Sequence, residues 1–303
     1  MLIQSEVCNW KLLNLNLTNT IIRGGNNMVS QNFIQSENSS IFSVIKYPEK
    51  QIAENAVLLI PGFGESKCDL DYFLSNLANF FIENNFATMQ LDLFAHGDSY
   101  GSFEDLNSGI IIKNIISAIK HLKKTSNLKI YVVCRGFYTE LLTEKNILDE
   151  IHGLVGISPI KLNVDELERI ENALLSKERI IEFCDFENRQ TISKILAMLG
   201  AEPDNMFAQK ININFLNDII ERLKKKKWSE TSYNNAVWLT SNLDTQDLNI
   251  EYKYSEIQYK TLDFYEGYAF PRDIYWQHKF TLNILSNIIR MSKGRLYAHT
   301  ISV

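Results

Sequence analysis

The chain has 303 residues, 45% of them apolar, and its 17 Phe and 13 Tyr can fill a sizeable core, which excludes a disordered polymer. Net charge is −5 with both signs spread along the chain, which argues against the basic face that nucleic-acid binding needs. Cys8, Cys68, Cys134 and Cys184 are scattered, without CxxC pairs or histidines at ligand spacing. No metal site or disulfide framework is expected, and reduced thiols in a cytoplasm are the simpler reading.

From the start, Trp10, Leu12, Leu15, Leu17, Ile21 and Ile22 alternate with polar residues, and Ile41 to Tyr47 does likewise. Two strands are expected there, joined by a Gly/Asn/Ser-rich loop from Gly24 to Ser40. Residues 1–17 lack a basic stretch followed by an apolar one, and 18 apolar residues never run together, so no leader or membrane span is expected. Ala56 to Ile60 is a continuous apolar run stopped by Pro61 and Gly62, the pattern of a strand buried on both faces. Leu70, Phe73, Leu74, Leu77, Phe80 and Phe81 then mark one helix face, with Asp69 near its start.

A short strand follows at Ala87 to Leu91. The next helix carries Ile112, Ile115, Ile116, Ile119 and Leu122, with Asn107 or Ser108 as its cap. Further buried strands are expected at Leu128 to Val133 and Ile151 to Ile157. Strand and helix alternating at these lengths predict an α/β fold with a doubly wound, mostly parallel sheet. Residues 161–231 break the rhythm with charged helical segments (Val164 to Leu175, Thr191 to Leu199, Ile213 to Leu223). They are expected to form a helical cap insertion over the strand ends, on a core of residues 1–160 and 232–303. The basic run Lys224 to Lys227 suits the negative end of the last of these helices. Strands at Ala236 to Leu239 and Lys260 to Tyr265 and a helix from Phe280 to Ile289 complete the core.

Two motifs carry a family resemblance. Pro61-Gly-Phe-Gly-Glu-Ser66 resembles the His-Gly-Phe-Gly loop after the third strand of α/β-hydrolases. Leu91-Asp-Leu-Phe-Ala-His-Gly-Asp-Ser-Tyr-Gly101 resembles the "DxRGHGxSxG" turn of the serine aminopeptidase, acylglycerol lipase and small-esterase branch. One helix and one strand separate them, as in that family. The resemblance covers most of residues 40–160 and implies the α/β-hydrolase fold with a helical cap. It also implies that His96 is structural, pinning its turn beside the pocket.

The same resemblance implies where a catalytic triad would lie and that it is degenerate. The nucleophile belongs on a G-x-S-x-G elbow after the Leu128 to Val133 strand. There the chain reads Val132-Val-Cys-Arg-Gly-Phe-Tyr-Thr139. Cys134 stands for the first Gly, Gly136 for the Ser, and Tyr138 and Thr139 for the closing Gly pair. Glycine tolerates the positive φ of an elbow, so the turn can persist without its attacking oxygen. Asp244 falls at the acid position, or caps the next element. Phe270 or Tyr268, depending on register, falls where the His should be. His278 is a conditional base if that loop is long, and otherwise a residue near the start of the last helix. The backbone N–H groups of Phe63 and Phe137 could still form an oxyanion hole, so Phe63, Gly64, Arg135 and Phe137 are the candidate ligand-binding residues.

Three readings follow. The first is a non-catalytic pseudo-hydrolase, an accessory protein binding a small molecule, acyl group, peptide or partner enzyme. The second is non-serine chemistry: Cys134 as thiol nucleophile of a thioesterase or acyltransferase with His278 or Asp244 in support, or an isomerase or lyase using Asp244 or Tyr268. The third is a hydrolase using Ser66 or Ser99. Gly62-Phe-Gly64 is too short for a phosphate loop and lacks its Lys, so no cofactor is expected.

Overall fold

The structure, a computed structural model, describes residues 20–24, 27–37, 39–49, 52–69, 72–125, 128–136, 138–157, 180–182, 210–225, 236–241, 258–262 and 274–293. The apolar run at Ala56–Ile60 forms the centre of β4 (Asn55–Ile60), and all five of its residues are fully buried. On either side of β4 lie β5 (Ala87–Leu91) and β6 (Lys129–Arg135), both parallel to it. Beyond β6 come β7 (Gly153–Ile157), β10 (Ala236–Ser241) and β11 (Gln258–Leu262), also parallel. At the other end, β3 (Ser39–Tyr47) runs antiparallel to β5. It leads outward to β2 (Asn27–Ser36) and β1 (Thr20–Gly24), each antiparallel to its neighbour.

The expected loop from Gly24 to Ser40 is therefore mostly strand. On β2 the buried positions are Asn32, Ile34 and Ser36, so the inward face is largely polar and hid its two-residue period. Asn32 and Ser36 are satisfied locally: the Asn32 side chain bonds Ser30 Oγ, and Ser36 Oγ accepts from Asn114.

Two apolar layers sandwich the sheet. On one face, α1 (Phe73–Glu83) packs Phe73, Leu74, Leu77 and Phe81 against Val57, Leu59 and Val133, each side chain contributing roughly 1.5–3 kcal/mol on burial. The last helix, α6 (Ile274–Ser292), joins that layer through Ile284 and Ile288. It begins six residues earlier than the periodicity predicts. On the other face, α2 (Ser108–Thr125) buries Ile111, Ile115 and Ile119 against Leu58, Ile130 and Val132. Asn107 is its cap, accepting from Ile110 N at 3.0 Å. Short helices α3 (Tyr138–Leu141) and α4 (Lys145–Leu148) link β6 to β7.

Within residues 161–231, β8 (Ile180–Glu182) and β9 (Lys210–Asn212) form a separate antiparallel pair, and α5 (Ile213–Lys225) follows directly. The expected helices at Val164 to Leu175 and Thr191 to Leu199 lie outside the described residues. Asn212 starts α5 by accepting from Phe215 N, while its amide donates to the carbonyls of Phe103 and Glu104. Phe215, Leu216, Ile219 and Ile220 are buried in the same cluster as α2.

The strand order, β1-β2-β3-β5-β4-β6-β7-β10-β11, reverses at β4. The chain leaves β4 for β5 on one side and returns to β6 on the other. In a doubly wound sheet the ligand crevice opens at such a switch point, outside the carboxyl ends of the strands. Here those ends are Ile60, followed by the Pro61–Glu65 loop, and Arg135, followed by Gly136.

Candidate functional site at the switch point

Strand β6 runs two residues further than the apolar pattern predicts, because Arg135 still pairs with Ile157. Gly136 then turns the chain with φ +63°, its N–H donating to Ile157 O at 2.8 Å and its carbonyl accepting from Thr139 N at 3.2 Å. This is a sharp strand-to-helix turn with a left-handed apex, the backbone an elbow requires. The apex carries no side-chain oxygen.

Arg135 is 1% exposed and bound to a carboxylate on the neighbouring loop. Its Nε donates to Asp69 Oδ1 and Oδ2 at 3.0 and 2.8 Å, and Nη2 to Asp69 Oδ1 at 2.5 Å. Glu65 Oε1 lies 3.9 Å from the same Nη2. The guanidinium packs against Gly62, where a Cβ would sit 2.4 Å from Nη2, so a larger residue would force the buried ion pair to shift. Asp69, read as the start of α1, has φ +57° and serves this ion pair instead. Helix α1 begins at Phe73 without a side-chain cap.

Beside the elbow, buried aromatic rings pack together. Phe63, Tyr138 and Phe215 are 2%, 0% and 1% exposed. Phe215 stacks on Phe63 at 5.6 Å between centroids and 11° between planes, and Tyr138 tilts against Phe63 at 6.1 Å. The Tyr138 hydroxyl meets His96 Nε2 at 3.1 Å, and His96 Nδ1 meets Phe94 O at 2.7 Å. Burial lowers the His96 pKa, which keeps the ring neutral, with Nδ1–H donating to the carbonyl and Nε2 accepting from Tyr138. Burial raises the Tyr138 pKa well above the usual phenol range. The pair fixes the turn after β5 to the elbow. His96 is thus a buried tether.

That turn has its own polar core. Asp92, fully buried, accepts from Lys67 N at 2.6 Å, Asp98 N at 2.9 Å and Lys67 Nζ at 2.9 Å. Ser99 Oγ donates to Asp92 O at 2.6 Å and accepts from Phe42 N at 2.7 Å, so its hydroxyl ties the turn to β3.

The other expected site residues fall as follows. Gly64 has φ +77° in a turn closed by Glu65 N donating to Gly62 O. Cys134 is fully buried within β6, opposite Gly156, and burial drives its thiol pKa far upward. Phe137, Asp244, Tyr268 and Phe270 lie outside the described residues. His278 is the fifth residue of α6, and its side chain lies outside them too. Sequence reasoning missed Glu65, Asp69 and Phe215. An arginine closing an apolar strand demands a buried counter-charge, and the carboxylates of the facing loop were the available ones. Among the described residues no group of three His, Cys, Asp or Glu could hold a metal, and no helix is long and apolar enough to cross a membrane.

No family model and no curated protein matches the chain in sequence. In structure it is similar to the α/β-hydrolase GrgF from Penicillium, with a TM-score of 0.60, 15% identity, and coverage of 88% of this chain and 99% of that one. Est1E from Butyrivibrio proteoclasticus, solved with ferulic acid, aligns at TM-score 0.57 and 15% identity over 85% and 99%. The monoacylglycerol lipase of Paleococcus ferrophilus aligns at 0.56 and 14% over 83% and 99%. The chain has the α/β-hydrolase fold.

Proposed function

We propose that this protein is a non-catalytic member of its fold class, an accessory protein whose crevice and cap engage a small molecule, an acyl group, a peptide segment or a partner enzyme. The observation that carries this reading is the elbow. Its apex is Gly136, while the residue before it is sealed into a buried ion cluster and the space above is filled by aromatic side chains. Losing the nucleophile removes covalent acyl transfer, because triad members act as a unit. Thiol chemistry at Cys134 is disfavoured, since the thiol is enclosed in the sheet two residues before the apex and held protonated. Residues 161–231 are assigned as the cap, a reading that α5 lying over Phe63 supports. A reducing, cytoplasmic setting fits Cys68 and Cys134, neither of which is in a disulfide.

A fluorophosphonate probe, used alongside turnover of p-nitrophenyl esters on the native protein and on Gly136→Ser, tests this reading. Neither protein is expected to label or turn over. Gly136→Ser restores a hydroxyl but leaves the Arg135 cluster and the Phe215 ring in place. Phosphonate labelling of any serine in the native chain would overturn the proposal.

A further inference from the structure

A cavity of about 250 Å³ opens where the β2–β3 turn meets the first half of α2. None of its lining residues belongs to the elbow or to the ring cluster beside it. Phe94 and Ile110 supply apolar walls, and the buried Asn114 supplies a polar one. Asn114 is fully committed: Oδ1 accepts from Phe94 N at 2.9 Å, and Nδ2 donates to Ser36 Oγ and Ser39 Oγ at 3.1 and 3.2 Å. Ser39 Oγ in turn donates to Ser36 O at 3.0 Å. The Ser36 hydroxyl, on a residue 2% exposed, accepts from Asn114, but its own proton has no acceptor among the described residues. A buried donor is costly to leave unmatched, and an acceptor entering the cavity would satisfy it.

The solvent edge carries charge of both signs. Lys113 pairs with Glu37, with side chains 51% and 59% exposed, and Asp105 adds a second carboxylate. An exposed pair of this kind is weak, so it yields readily to incoming charges. A carboxylate accepts about four hydrogen bonds, so Glu37 and Asp105 retain capacity beyond their present partners. The volume is below the roughly 300 Å³ at which pockets for drug-sized ligands begin, so the occupant is small. It must bring an acceptor for Ser36 and Lys113, donors for Glu37 and Asp105, and an apolar body for Phe94 and Ile110. An α-amino acid with an apolar side chain carries all three on one carbon. We propose that this cavity binds such an amino acid. Its carboxylate lies on Lys113 and Ser36, its ammonium on Glu37 and Asp105, and its side chain between Phe94 and Ile110.

The deciding experiment is an NMR titration of the full chain with L-leucine, following the Asn114 side-chain amide and the Ile110 methyl signals. Isoamylamine, which lacks the carboxylate, and 4-methylpentanoate, which lacks the amine, serve as comparisons. Saturable shifts are expected with leucine, and each truncated compound should bind about fivefold more weakly. Lys113→Met should weaken leucine about fivefold without weakening isoamylamine, and Glu37→Gln should weaken leucine by as much without weakening 4-methylpentanoate. Both changes fall on exposed side chains, so the fold is expected to persist. No saturable shift in the native protein up to about 20 mM leucine would overturn the proposal. So would truncated compounds that bind as tightly as leucine, or variants that bind leucine as the native protein does. Ester turnover and phosphonate labelling report on the elbow, and neither outcome bears on this cavity.

Discussion

Two loops meet at the carboxyl ends of the sheet, and they depart from the hydrolase pattern to very different degrees. The turn after β5 keeps the motif almost whole, and each of its polar residues helps to fold it. Asp92 gathers two backbone donors and Lys67, Ser99 reaches β3, and His96 reaches Tyr138. The elbow after β6 keeps only its backbone. Gly136 preserves the left-handed apex, and the positions around it carry Cys134, Arg135, Tyr138 and Thr139, all buried. Residues that hold the chain's own backbone match the motif regardless of chemistry. Those around the elbow do not match it, and here they are buried in packing and in an ion pair.

The sharpest way to break this comparison is at Arg135. Removing one partner of a buried ion pair strands the other, so Arg135→Met should cost about 3–5 kcal/mol in denaturant unfolding. Adding Asp69→Asn should recover part of that loss, because Asn tolerates the φ of +57° and leaves no unpaired charge against the sheet. If Arg135→Met unfolds like the native protein, the elbow cluster does not hold the two loops together. The turn after β5 should come next. Asp92→Asn keeps the shape but sets an amide against the Lys67 and Asp98 N–H donors, at a cost of about 3 kcal/mol by the same measurement. A smaller loss there than at Arg135 would keep the order of the two loops; a larger one would reverse it.

How much of this could be read from sequence follows the same division. The central strands were legible because Ala56–Ile60 and its neighbours are apolar without interruption, and α2 because its isoleucines recur at helical spacing. Strand β2 was not, since Asn32 and Ser36 face inward and are satisfied by hydrogen bonds rather than by apolar burial. Gly136 could be placed by the order of motifs, and its positive φ follows from residue type. Asp69 looked like a helix start because local sequence favours that role, while its actual partner lies 66 residues away in β6. Phe215 carried only the signature of an amphipathic helix, which says that a face is buried and not against what.

The smallest expected effect isolates His96. Its pKa is lowered in the folded protein by burial, whereas in the unfolded chain it should titrate near the ordinary value of about 6.5. Below that pH the unfolded state binds a proton that the native state refuses, so native stability falls as pH falls, by up to about 1.4 kcal/mol per pH unit from this residue. The pH dependence that His96 contributes should vanish above about pH 7 and grow from about pH 6.5 downward. Replacing it with His96→Gln should lower stability at neutral pH, because the Tyr138 contact is lost, yet flatten the acid slope relative to the native protein. Partial lowering at the less buried His121 and His152 acts in the same direction in both proteins and cancels in the difference. An unchanged slope would mean that His96 is protonated in the native state, with Nε2 donating to Tyr138, and the tether between the two loops would then be charged.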